Sequence, residues 1–485
     1  MVIWTVAWHL SDTLPKRTTI AVLFQERRLL ARRRSHKGLP MLAAFTLSDF
    51  KSFREARLPL GPLTVLIGAN AAGKSNAIEA LRLLSWLAQG QKLSSIQYAV
   101  NSADRVVRGR MEDLCSRGLS QFDLGCVTDD VHWNRLSLRI QIRDGEPHIS
   151  AERIDGLKTK VPLYDMDQPS QGLGTDAGVV YNNFTRGGSK RHVTVSDQMA
   201  VFAQLESPVR FEASHKKVLE TIPQVAKRFQ ALLANILFLD PVPARMREYS
   251  FTNDKRLLGD GTNLSSVYFR LWGDDTDAAV EPFKTQRHSI LQFIQSLPEQ
   301  EIAGLHFLVG PRGDVMLLLQ ETFGGIPTTY DASLLSDGTL RVLAIAAAML
   351  SAPEGSLVVI EEIDNGVHPS RARHLLDSIR SVAERRKLRV LLSTHNPALL
   401  DALPDAAVPD VVFCYRDPSS GESRLVRMQD IPDVPELLIQ GDLGQLMTSG
   451  ALERFVKTHK GSEARKLKAK AWLESLRTTQ PGVAG

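Results

Sequence analysis

Residues Leu63 to Ala77 read LTVLIGANAAGKSNA. An apolar run, Leu63, Val65, Leu66 and Ile67, stops at Gly68, and five residues later comes Gly73-Lys74-Ser75. That is G-x-x-x-x-G-K-S, and the residues beyond it, NAIEALRLLSWLA, are apolar at helical spacing. A glycine-rich turn between a strand and a helix lets several backbone N–H groups face one anion, and the helix N-terminus adds its positive end. Gly68, Asn70, Gly73, Lys74, Ser75 and Asn76 are therefore the candidate phosphate-binding residues. Lys74 is placed to reach β- and γ-phosphates, and Ser75 to ligate Mg²⁺. ATP and Mg²⁺ are the expected cofactors.

The chain has 485 residues, 43% hydrophobic and 23% charged, ordinary values for a globular protein of two to four domains. Cys115, Cys126 and Cys414 lie in no CxxC pair, which points to a reducing, cytoplasmic setting and no zinc site. No apolar run reaches the roughly 18 residues that a membrane helix needs. The net charge is +5, yet residues 1–40 carry eight Lys/Arg against two acids. The rest of the chain is close to neutral, so its basic balance is no argument for a nucleic-acid-binding body.

Residues 1–40 are expected to form a disordered basic extension, with Met41 the expected start of the folded chain. From there MLAAFTLSDFKSF alternates as a strand does, and Gly61-Pro62 breaks it from the run into the phosphate loop. Residues 41–195 are expected to make an N-terminal lobe, with a hairpin over His132–Ile142 and Pro147–Ile154 and a long loop or exposed excursion over 165–192. Residues 196–300 read as a helical insertion, with helices near 196–205, 216–237, 264–272 and 282–296. Residues 301–445 return to strand–helix alternation and predict a mixed or parallel sheet covered on both faces, an α/β fold. Residues 446–485 read as a basic C-terminal helix and tail, whose basic face is a default solvated surface or a contact for DNA or a partner.

Three further stretches lie where a nucleotide site needs them. SLVVIEEIDNGVHP puts Glu361 and Glu362 at the end of a buried strand, where one carboxylate can hold a Mg²⁺ water shell and the next can orient an attacking water. RVLLSTHNP ends another strand at His395, at the carboxyl edge where open α/β sheets bind ligands. LLSDGTLR opens an apolar helix with Ser336 and Gly338, a helix cap that is also compatible with anion binding.

Phosphate loop, Leu-Ser-x-Gly, a strand ending in two acids, then Ser-Thr-His is an order that resembles the ABC-type ATPases, and more narrowly the SMC/RecF/OLD branch of the AAA-family ATPases. Asp49-Phe50-Lys51-Ser52-Phe53 stands where that branch has Asn-Phe-Arg-Ser-Phe. IEEIDNGVHP is similar to its Ile-Glu-Glu-Pro-Glu-Asn-Gly-Leu-His-Pro. The resemblance covers roughly residues 41–57, 62–84 and 302–415. It implies that Glu361 is the Walker B acid, Glu362 the water-orienting glutamate, Asp364 and Asn365 part of the D-loop, His395 the switch histidine, and Lys51 a phosphate contact. Ser336 and Gly338 would belong to a signature that meets the γ-phosphate of a nucleotide held by a second protomer. The implied assembly is a homodimer with ATP sandwiched in its interface.

Glu361 stands where aspartate is commoner, and Lys51 replaces an arginine, losing bidentate geometry. A Q-loop glutamine has no clear place; Gln121 and Gln141 are candidates. OLD-branch relatives often add a Toprim nuclease. The residues after Pro397 hold no Asp-x-Asp, so a stand-alone, slow ATPase is expected, its dimer controlling a separate effector such as a nuclease in DNA repair or phage defence. The alternatives are a RecF/SMC-type clamp acting on DNA directly and, against the long segment between loop and signature, a transporter ATPase subunit.

Overall fold

The computed structural model describes residues 40–96, 106–172, 174–185, 191–254, 256–273, 280–295, 301–364, 369–431 and 434–458. Asn365 and residues 1–39 of the expected 1–40 extension lie outside them, as does most of the basic tail.

A six-stranded sheet positions everything else. Its order is β10 (Leu237–Leu239), β15 (Leu357–Ile360), β16 (Arg389–Ser393), β3 (Leu63–Ile67), β17 (Val411–Arg416) and β18 (Ser423–Arg427). The first five are parallel and β18 closes the edge antiparallel. Each parallel strand is a short, nearly unbroken apolar run because it is covered on both faces. Leu63, Val65, Ile67, Val358, Ile360, Val390, Leu392, Val411 and Phe413 enter one core. Leu66, Leu357, Val359, Leu391, Val412 and Cys414 enter the other. The period of two thus ties two cores to one sheet.

The first core is filled by α3 (Leu264–Trp272), α4 (Phe283–Ile294), α5 (Asp337–Ser351) and α6 (Pro369–Arg385). Tyr268, fully buried, donates its hydroxyl to the Leu343 carbonyl at 2.8 Å and so locks α3 to α5. Beside them lie β11 (Ser250–Phe251), β12 (Glu301–Val309), β13 (Asp314–Phe323) and β14 (Ile326–Asp331), a smaller antiparallel sheet.

The second core lies under α1 (Lys74–Ala88) and α2 (Lys216–Ala234). Val218, Ile222, Val225, Ala226, Phe229 and Leu233 are the buried stripe of α2, and Pro223 sits inside that helix rather than at its start. An eight-stranded antiparallel sheet completes this core. It runs β2 (Phe53–Pro59), β1 (Leu42–Phe50), β4 (Gln121–Thr128), β5 (Arg135–Arg143), β6 (Glu146–Asp155), β7 (Tyr164–Gln168), β8 (Asp176–Tyr181) and β9 (Arg191–Ser196). Gln121 and Gln141 face each other across β4 and β5.

Three expectations are corrected. The stretch 165–192, read as a loop or exposed excursion, holds β7, β8 and the start of β9. Gly172, Gly174, Asn182 and Asn183 lie between the strands, while Met166, Ala177, Val179 and Tyr181 supply the alternating buried face. The helix expected over 196–205 shrinks to Val201–Gln204, because Ser196 is still paired with β8 and residues 197–200 form the turn out of that strand. Within the segment read as a helical insertion, β10 pairs in register with β15, Leu239 opposite Ile360, so part of that segment belongs to the central sheet.

Candidate nucleotide site

The loop after β3 lies on the backs of β17 and β18, and two glycines allow it. Gly68 has φ 146° and Gly73 φ 122°. A Cβ on Gly68 would stand 2.1 Å from the Cys414 carbonyl oxygen, and one on Gly73 2.4 Å from Ser423 Oγ. Only a residue without a side chain fits either place. Ser423 Oγ donates to the Ala72 carbonyl at 2.6 Å, pinning the loop from behind.

In front of the loop is a cavity of about 360 Å³. It is lined by Asn70, Gly73, Lys74, Ser75 and Asn76 from the phosphate loop, by Glu361, Glu362, Ser393, Thr394 and His395 at or just beyond the ends of β15 and β16, and by Arg108 and Arg416. Stretches more than 280 residues apart in sequence meet because β3, β16 and β15 are neighbours, all parallel, and all end at the same edge.

Lys74 Nζ donates to the Gly68 and Ala69 carbonyls at 2.6 and 3.1 Å. Burial pulls its ammonium below the ordinary lysine range, against the nearby Glu362 and Asp364 carboxylates. Glu361 accepts a hydrogen bond from Arg82 Nη2 at 2.6 Å. Burial raises its carboxyl above the ordinary range, an effect that Arg82 opposes. Glu362 sits at φ 47°, in the left-handed region, and its N–H donates to Ser393 Oγ at 3.1 Å. Behind His395, Thr394 Oγ1 donates to Asp364 Oδ1 at 2.7 Å, and Asp364 Oδ2 lies 3.7 Å from His395 Nδ1. Asp364 therefore holds the strand end that presents the histidine.

Lys51 is not brought to the cavity. Its Nζ donates to Glu79 Oε1 at 2.5 Å and to the Arg108 carbonyl at 2.8 Å. The near-buried Glu79, one turn beyond Ser75 on α1, draws the lysine inward and also takes the Arg108 guanidinium. Arg108 reaches past it to Asn76 Oδ1 at 3.3 Å and stands where the phosphate-side cation was expected. Ser336 caps α5, its Oγ accepting from the Thr339 N–H at 3.1 Å, and neither it nor Gly338 lines this cavity. Arg108, Arg416 and Arg82 carry no motif; only the pairing of distant segments reveals them.

The donors facing the cavity, a serine hydroxyl and two carboxylates, are hard oxygens of the kind that suit Mg²⁺, and the loop above them suits a phosphate chain. Fold and site together define a P-loop nucleotide-binding protein. A family model described as "AAA domain, putative AbiEii toxin, Type IV TA system" matches residues 63–113 and 214–401. The chain is similar to the OLD nuclease of Thermus scotoductus, 22% identical over 372 residues, 74% of this chain and 60% of that protein. It is also similar to the DNA replication and repair protein RecF of Caulobacter vibrioides, 53% identical over 45 residues, 9% of this chain and 12% of that one. The chain therefore spans less than two thirds of either relative. Solved structures that resemble it include an Smc head domain bound to the C-winged helix domain of ScpA, at TM-score 0.42 and 13% identity, covering 80% of this chain and 97% of that one. A Pyrococcus furiosus Smc head domain aligns at TM-score 0.42 and 13% identity, over 82% of this chain and all of that one. The chain is a P-loop ATPase of the SMC/RecF/OLD type. Among the described residues no helix is long and apolar enough to cross a membrane.

Proposed function

We propose that this chain binds ATP with Mg²⁺ and hydrolyses it, and that the bound nucleotide gates a homodimer which controls a separate effector. The observation that carries the reading is the meeting of Lys74 and Ser75 with Glu361, Glu362 and His395 around one cavity. Lys74 binds the β- and γ-phosphates, and the loop from Gly68 to Asn76 orients them. Ser75 and Glu361 would hold Mg²⁺, which supplies charge neutralisation on the phosphates. Glu362, at the end of β15 and lining the cavity, orients the attacking water and takes its proton. His395, backed by Asp364, donates a hydrogen bond to the γ-phosphate side. Arg108 takes the phosphate-facing place that Lys51 leaves.

Ser336 caps its helix and does not line this cavity, so a signature role requires a second copy, as in an ATP sandwich. The effector is read as a nuclease or toxin-like partner in DNA repair or phage defence, in keeping with the kinds of protein this chain is similar to. The test is the solution mass of the Glu362→Gln protein with and without ATP–Mg²⁺, beside ATPase rates of wild type, Glu362→Gln and Lys74→Ala. A mass that doubles only with ATP, and hydrolysis lost in both variants, is expected. Equal mass in both conditions would sink the gated dimer, and undiminished hydrolysis by Lys74→Ala would sink the site itself.

A further inference from the structure

Arg82 stands on α1 about two turns beyond Ser75, on the side that faces β10 and β15. Its Nη2 donates to Glu361 Oε1 at 2.6 Å, and its guanidinium lies over the Phe238 ring, 5.0 Å from the centroid. Phe238 belongs to β10, and the next carbonyl on that strand, Leu239 O, accepts from the Glu361 N–H at 3.1 Å. β10 thus fixes the backbone of Glu361, and Arg82, stacked on β10, fixes its side chain.

The surroundings are otherwise hostile to that carboxylate. Asp240, at the end of β10, and Glu362 both act on Glu361 as like charges, whereas Arg82 acts as an opposite one. Three carboxylates crowd the ends of two adjacent strands. A glutamate also has one more rotatable bond than the aspartate commoner at this place, and so more freedom to be lost on binding a cation. A guanidinium held on an aromatic face answers both problems. It fixes one carboxylate oxygen and offsets the repulsion, leaving the other oxygen for a cation.

We propose that Arg82 is a positioning residue for the metal-binding carboxylate: it aims Glu361 and sets the affinity of the site for Mg²⁺, without touching the nucleotide. The proposal rests on the ATP–Mg²⁺ reading above. Loss of a group that orients a metal ligand typically weakens metal binding by about 10- to 100-fold.

The experiment measures binding of a fluorescent ADP to wild type, Arg82→Ala and Arg82→Lys, in EDTA and across a Mg²⁺ titration, with a thermal melt of each protein. In EDTA all three should bind alike. The Mg²⁺ concentration for half of the metal-induced tightening should rise at least about tenfold in Arg82→Ala and less in Arg82→Lys. An unchanged Mg²⁺ requirement in a folded Arg82→Ala protein overturns the proposal. So does a lowered one, which would make Arg82 a competitor of the cation. If Arg82→Ala does not fold, Arg82→Lys decides, a wild-type Mg²⁺ requirement counting against the proposal. Wild type that binds no nucleotide under any condition overturns the underlying reading as well, and is told apart because every variant then fails alike.

Discussion

Glu362 carries a backbone cost as well as a chemical role. At φ 47° it occupies a left-handed conformation that a residue with a Cβ adopts at an expense of about 1–2 kcal/mol. In that conformation its N–H donates to Ser393 Oγ, and Glu362 lines the cavity. Replacing Glu362 by glycine should therefore stabilise the fold by about 1 kcal/mol relative to Glu362→Ala, a comparison that isolates the backbone term. Both variants should lose hydrolysis. Urea denaturation of the two proteins checks it, and equal midpoints would show that the strain is not there. Gly68 and Gly73 show the opposite case, where the strained position is kept glycine because strands β17 and β18 leave no room behind the loop.

At the level of elements, the junction of β6 with the short helix Val201–Gln204 turns on one buried acid. Glu152 accepts from Tyr164 Oη at 2.6 Å and from the Val201 and Phe202 N–H groups at 2.7 and 2.8 Å. Burial pushes its carboxyl from 4.5 up to about 7, although those three hydrogen bonds pull the other way. With the folded value above the unfolded one, the native state holds the extra proton between the two. Its contribution to stability is therefore present below about pH 4.5 and lost as pH rises to about 7. One such group gives a slope of at most about 1.4 kcal/mol per pH unit. Chemical denaturation at pH 5, 6 and 7 should show wild type losing stability faster than Glu152→Gln; parallel curves would mean that Glu152 does not titrate there. Around this junction the sequence pattern becomes too short to define elements. The strands of the parallel sheet were legible because burial on both faces leaves short apolar runs between helices, and the hairpin of β5 and β6 because Asp144-Gly145 marks its turn. β7, β8 and β9 were not, since their buried face is only two or three residues per strand amid turn residues. β10, three residues long, and β18, an edge strand with polar residues, give too short a pattern to register. Their partners decide them.

For the whole molecule, the same distinction between local and distant signals governs the site. Lys74, Ser75, Glu361, Glu362 and His395 could be found one by one because each ends or begins a periodic run, and parallel topology then brings those ends together. Arg82 and Arg108 could not, because nothing local distinguishes either from a solvated surface arginine. Ser336 is the reverse: a legible motif that the fold leaves away from the cavity of its own chain. On the proposed sandwich this separation becomes testable by mixing. Lys74→Ala removes the phosphate-loop half of each composite site, and Ser336→Arg blocks the signature half. Each protein alone should be inactive. In a mixed dimer with twofold symmetry of contacts, one site pairs two damaged halves and the other pairs the intact loop of one chain with the intact signature of its partner. An equal mixture should therefore recover roughly a quarter of wild-type hydrolysis if the sites act independently. A mixture as inactive as its components, with both proteins folded and the Ser336→Arg protein still binding nucleotide, would mean that the signature does not act across an interface. The Ser336 helix would then be a capped structural element, and gating would have to come from within a single chain.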